Sequence, residues 1–62
     1  MDWREGLNRI LRLDEQELAL WEKLMMTAPN EHMRRMIRGA IAREREEMRM
    51  IKELMMGEPM DP

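Results

Sequence analysis

The sequence predicts an all-α protein: an antiparallel two-helix hairpin that dimerises into a four-helix bundle. Apolar residues recur at helical spacing in two long segments. Only residues 27–30 separate these segments, and a link this short makes the two helices antiparallel neighbours. A chain of 62 residues without cysteine cannot bury a sufficient core as one hairpin. We therefore expect a homo-oligomer, at least a dimer.

The first helix is predicted over about residues 3–26. Asp2 and Glu5 form the D-x-x-E pattern of a capping box at its start, and apolar residues then follow at helical spacing. The segment TAPNE at 27–31 ends the helix. Pro29 lacks a backbone N–H donor and disfavours helical geometry at the residue before it.

The second helix is predicted over about residues 31–56, with Asn30 as its N-cap. Gly57 is the expected residue just beyond its C-terminus. Residues 57–62 are polar and proline-rich, so we expect them to form a disordered tail. The hairpin therefore takes residues 1–56.

Composition excludes several classes of function. Charged residues make up 39% of the chain but leave a net charge of only −2, which does not favour binding to nucleic acid or to an anionic membrane. No apolar run is long enough for a transmembrane span, and no signal peptide is recognisable, so we expect a cytoplasmic protein. The chain offers no serine or cysteine nucleophile and no glycine-rich phosphate loop.

Two carboxylates interrupt the middle of each predicted apolar seam. In the first helix the seam positions are Leu7, Ile10, Asp14, Glu17, Trp21, Leu24 and Ala28. In the second helix they are Met33, Ile37, Ala40, Glu44, Glu47, Ile51 and Leu54. Counted outward from the turn, the two acidic pairs lie at the same level of an antiparallel hairpin.

Such a cluster is costly without a counter-charge. Two unit charges about 5 Å apart repel by roughly 3 kcal/mol at an effective dielectric constant near 20. Neither seam contains a basic residue, so bound protons or a metal cation are the expected remedies. Carboxylates three residues apart on facing helices are how helical bundles hold di-iron or di-manganese centres. The candidate metal ligands are Asp14, Glu17, Glu44 and Glu47.

A rotated heptad frame is the alternative. It turns Leu11, Leu18 and Met25 inward and leaves Glu17 or Asp14 on a solvated edge. In that case a structural or scaffolding bundle without a metal site becomes the alternative function.

The stretch DEQELALWEKLMMTAPNEHMRRMIRGAIAREREEM resembles the ferritin-like superfamily. The resemblance is to half-length members that supply one hairpin per chain, such as rubrerythrin-like and encapsulated ferritin proteins, and it covers roughly residues 10–54. In that family the first helix carries a Glu with an aromatic residue seven positions later, and the second carries E-x-x-H. Asp14 with Trp21 takes the first pattern. Glu44 takes the Glu of the second, while Glu47 stands where the family has His.

The resemblance implies an iron centre, with manganese as the other metal, and iron oxidation or storage as the function. It makes a ferroxidase-type activity conceivable and places the ligands at the centre of a homodimeric bundle. On the second helix, it leaves three neighbours of the ligands facing outward, namely Arg43, Arg45 and Glu46.

Three further features are expected to be structural. His32, the only histidine, lies about 18 Å along its helix from Glu44 and cannot share that site. Trp3 and Trp21 are expected to be packing anchors. The ten Met residues could bind soft copper, but their spread along both helices favours packing.

Overall fold

The computed structural model describes residues 2–56, which form two α-helices. Helix α1 spans Trp3–Thr27 and helix α2 spans Glu31–Met56. The all-helical class and the hairpin are confirmed, whereas dimerisation stays a prediction. Helix α1 ends one residue later than predicted. The predicted tail and the role of Gly57 lie outside the described residues.

Both helix starts are capped by side chains of the predicted residues. The carboxylate of Asp2 accepts hydrogen bonds from the backbone N–H groups of Arg4 and Glu5, and the Glu5 side chain accepts one from the N–H of Asp2. This is a complete capping box. At α2, the Asn30 side chain accepts a hydrogen bond from the N–H of Met33 at 2.9 Å.

Side chains also tie the two helices together at both ends of the hairpin. Near the turn, Arg34 Nη1 donates to the carbonyl oxygen of Ala28 at 3.0 Å. At the open end, Arg4 Nη1 donates to the carbonyl oxygen of Met55 at 3.2 Å. One hydrogen bond therefore joins α2 to the turn, and the other joins the two helices at the open end.

The core between the helices is thin. Its buried apolar residues are Ile37, Ala40 and Ile51, all on α2. Helix α1 contributes half-buried side chains, namely Leu7, Leu11, Leu18, Trp21 and Met25. No large side chain among the described residues is completely buried.

The buried residues of α2, namely Ile37, Ala40, Glu44 and Ile51, are all predicted seam positions. Helix α1 is rotated relative to the predicted frame, and the single hairpin exposes part of the predicted seam. Its apolar members Ile10, Leu24, Met33 and Leu54 are about half exposed. Two packed helices bury only the strips that face each other directly. Residues beside these strips on the helix surface stay in contact with solvent. The rotated frame, with Leu11, Leu18 and Met25 turned inward, describes α1 better.

A second apolar strip therefore lies exposed on each helix. On α1 it consists of Ile10, Leu13, Leu20 and Leu24, with Glu17 at its middle. On α2 it consists of Met33, Met36, Met50 and Leu54, with Arg43 and Glu47 at its middle. The two strips lie on the same side of the hairpin, because Glu17 and Glu47 line one cavity. We call this side the open face.

Neither helix is long and apolar enough to cross a membrane. The cytoplasmic location stays a prediction.

Candidate metal centre

Asp14 and Glu44 face each other in the middle of the helix–helix contact. The 3–4 spacing of the inward strip on α1 runs Leu11, Asp14, Leu18, and this places the Asp14 carboxylate among apolar neighbours. Glu44 lies one turn beyond Ala40 on the buried strip of α2. Each of the two acidic residues keeps only 7% of its surface exposed.

Both carboxylates leave one oxygen without a partner. Asp14 Oδ2 and Glu44 Oε2 are buried and accept no hydrogen bond from any described residue. A buried polar atom without a partner costs about 1–3 kcal/mol, and more when its group is charged. The middle of the hairpin therefore requires a proton or a cation.

Glu17 supplies a third carboxylate. One oxygen from each of Asp14, Glu17 and Glu44 lies within 4.8 Å of the other two. Oxygens on opposite sides of a hard cation are separated by about two metal–oxygen bond lengths, roughly 4–5 Å. The three side chains therefore fit a single cation with little movement. Glu17 itself is exposed, so the cation would be accessible from the open face.

Glu47, the fourth predicted ligand, lies at the same cavity but outside this three-oxygen cluster. The cavity has a volume of about 250 Å³ and is lined by Glu17, Trp21, Ala40, Arg43, Glu44 and Glu47. Glu47 is exposed, one turn beyond Glu44 on α2. In a single hairpin it could reach a cation in the cavity only by a change of rotamer.

The electrostatics of the site follow from this crowding. Burial of Glu44, reinforced by hydrogen bonding and charge repulsion from Asp14, raises the pKa of Glu44 to about 7. Glu17 and Glu47 add further repulsion in the same direction. A carboxyl group with such a pKa holds a proton at mildly acidic pH and releases it when a cation binds.

Sequence reasoning did not place Arg43 at the site. Arg43 is exposed, in agreement with its expected outward position. Its side chain lines the cavity together with the glutamates, and no other basic residue does. Its spacing of four residues from Glu47 was the available signal, because residues four apart share one helix face. His32 is exposed in the first turn of α2, far from the carboxylates as predicted. Trp21 is half-buried at the cavity, whereas Trp3 is exposed.

The chemistry of the donor set is that of a hard-cation site. Oxygen ligands without imidazole or thiolate suit magnesium, calcium, manganese or iron better than copper or zinc. The half-buried position also limits the competition from water. No protein-family model, curated protein or solved structure matches this chain. The ferritin-like resemblance therefore rests on the residues quoted above.

Proposed function

We propose that this chain is a ferritin-like metal-binding protein whose carboxylate cluster holds a hard cation at the centre of a homodimeric four-helix bundle. The observation that carries the proposal is the pair of buried oxygens without partners, on Asp14 and Glu44, with Glu17 close enough to share a cation with both. An acidic surface patch would have no such buried, unsatisfied atoms. The cation would supply the missing partner for each.

Iron is the first candidate for the cation, and manganese is the second. The choice is supported by the all-oxygen donor set and by the resemblance of Asp14, Trp21 and Glu44 to the ferritin-like pattern. Bound iron would supply electron transfer between its ferrous and ferric states. Iron oxidation or storage is the activity that this assignment implies.

The test is an anaerobic titration of the chelator-treated protein with ferrous iron and, separately, with manganese. Calorimetry measures the binding. The wild type should bind, and Glu44→Gln should bind at least about tenfold more weakly because a ligand charge is lost. Glu46→Gln is the matched control. Its carboxylate lies two residues away on the same helix, is exposed, and is paired with Arg49 instead of the cluster. Equal binding by all three proteins would refute the site.

A structural bundle without metal is the second candidate. The raised pKa of Glu44 favours it, since one proton held between Asp14 and Glu44 would also satisfy the buried oxygens. This candidate predicts that neither cation binds and that Glu44→Gln leaves the stability at pH 7 unchanged or improved. The same titration, combined with thermal melts, separates the two functions.

A further inference from the structure

We propose that a second copy of this chain covers the open face, with α1 of one copy lying on α2 of the other. In this arrangement Arg43 of each copy pairs with Glu17 of the other copy. The inference rests on the homodimer of the proposed function. It specifies which face is buried, which helices pack on each other, and which charged residues pair between the copies. It does not require that metal be bound.

The area of the open face matches what a stable dimer needs. Eight Leu, Ile and Met side chains on this face are about half exposed, and together they present on the order of 800 Å², the contribution of one partner to an interface of standard size. The two helices lie side by side in one layer, across which the Cα atoms extend only 11 Å. Stable domains are normally built from two packed layers. A second hairpin supplies the missing layer.

The charges of the chain are distributed as this arrangement requires. The one ion pair between the helices joins Glu22 and Arg45, and neither residue belongs to the open face. The remaining ion pairs in the described part of the chain lie within α2 and join Glu31, Arg34, Arg38, Glu46, Arg49 and Glu53. The α1 strip contains none of these paired residues, whereas Glu46, Arg49 and Glu53 lie beside Met50 at the edge of the α2 strip.

Arg43, at the middle of the α2 strip, differs from these paired arginines. Within residues 2–56 its guanidinium has no carboxylate oxygen in ion-pair range, although it lines a cavity with three glutamates. An arginine at the centre of a docking face would lose hydration when the face is covered. A carboxylate on the covering surface would offset that loss.

Only one of the two simple symmetric arrangements provides that partner. The α1 strip has Glu17 and no basic residue, so packing α1 on α1 would oppose the two Glu17 side chains. A two-fold axis parallel to the helices instead places α1 on α2 of the other copy. It also brings leucine and isoleucine side chains against flexible methionines, which adapt to irregular surfaces.

The register of this arrangement follows from the hairpin itself. A two-fold rotation about an axis along the helices preserves height, so residues of both copies keep their levels. Asp14 faces Glu44, which puts Glu17, three residues nearer the turn, at the level of residue 41 on α2. The charged open-face residue of α2 nearest to that level is Arg43. It supplies the counter-charge for the Glu17 side chain of the other copy.

The test uses two charge-reversal variants of the full chain, Glu17→Arg and Arg43→Glu, in chelator at low salt. Sedimentation should show a wild-type dimer and, for each variant alone, association weakened at least about tenfold, because each homodimer opposes like charges at two symmetric contacts. An equimolar mixture should regain wild-type association. In the mixed dimer both contacts join opposite charges, and native mass spectrometry identifies that dimer by its mass.

Each other outcome overturns the proposal. A metal-free wild type that stays a monomer at micromolar concentration shows that no second copy covers the face. Variants that dimerise like the wild type show that Arg43 and Glu17 do not meet across the interface. Weak variants that mixing does not restore show that the two residues pair within one chain. If a variant alone loses helical circular dichroism, Glu17→Gln and Arg43→Gln replace it, and each should weaken association. Metal titration is measured separately, so an absent metal site leaves this result unaffected.

Discussion

The raised pKa of Glu44 predicts that the metal-free protein loses stability as pH rises. The pKa of this carboxyl group is about 7 in the folded chain, against an ordinary value of 4.5. The native state therefore binds more protons than the unfolded state between these pH values, and the free energy of unfolding must fall as pH rises through that window. Below about pH 4.5 the Glu44 carboxyl group is protonated in both the folded and the unfolded state. Above about pH 7 it is ionised in both.

The size of the loss follows from the shift. One pKa unit corresponds to 1.36 kcal/mol, so a rise from 4.5 to about 7 corresponds to a loss of about 3 kcal/mol between pH 4.5 and pH 7. For a small domain this is a large fraction of the total stability. Bound metal reverses the trend, because the cation displaces the proton and its stabilisation grows over the same range. The free energies of unfolding of the metal-free and the metal-bound protein should therefore diverge as pH rises.

Denaturant titrations monitored by circular dichroism would measure this at several pH values, with chelator or with manganese. Protein concentration must be held constant, because a dimer is stabilised by mass action. Glu44→Gln is the control: it removes the titrating group and should flatten the metal-free curve between pH 4.5 and 7. A wild-type curve that is level or rises across this window, and that coincides with the Glu44→Gln curve, would refute the reasoning.

Three further predictions concern the fold. Replacing Asp14 and Glu44 together by leucine should raise the metal-free free energy of unfolding at pH 7 by a few kcal/mol and abolish metal binding, since apolar packing replaces buried charge; denaturant melts showing a loss would contradict this. Ile51→Ala should destabilise by about 2–5 kcal/mol, because Ile51 is 2% exposed, whereas Met26→Ala, at a position 84% exposed, should leave the melting curve within about 0.5 kcal/mol of the wild type. Asn30→Ala should cost about 1 kcal/mol by removing the N-cap of α2, and an unchanged midpoint would argue against that cap.

The helices could be predicted from the sequence because their ends depend on local chemistry. The Asp2 and Glu5 side chains satisfy backbone N–H groups at most three residues away, and Asn30 does the same at α2. Pro29 acts on the residue directly before it. None of these effects depends on tertiary structure. The helix bounds consequently differ from the prediction by a single residue.

The orientation of the helices could not be predicted in the same way. Each helix carries two adjacent apolar strips, and the 3.6-residue period alone does not say which strip faces the other helix. Leu11 and Leu18 belong to the strip that the hairpin buries, whereas Ile10 and Leu24 belong to the open face. The heptad frame mixed the two strips.

The same ambiguity governs the candidate site. Asp14 and Glu44 lie on the buried strips, whereas Glu17 and Glu47 lie on the open face, although all four occupy seam positions in the heptad frame. Arg43 was expected to face outward, like Arg45 and Glu46. Its long side chain lines the cavity from the α2 strip of the open face, which helical spacing alone does not reveal.

The free-energy cost of burying the carboxylates of Asp14 and Glu44 bears on function. Asp14 and Glu44 occupy the middle of a helix contact that buries only three apolar residues of the described part of the chain, so apolar side chains there would enlarge the core. The raised pKa of Glu44 makes its ionised form unfavourable in the metal-free chain at neutral pH. A bundle that served only as a scaffold would gain stability by replacing both, at no functional cost. A binding protein cannot, because the same repulsion that destabilises the empty cluster is relieved by the cation and so adds to its affinity. The unpartnered oxygens of Asp14 and Glu44 at the middle of the hairpin therefore support the proposed cation site.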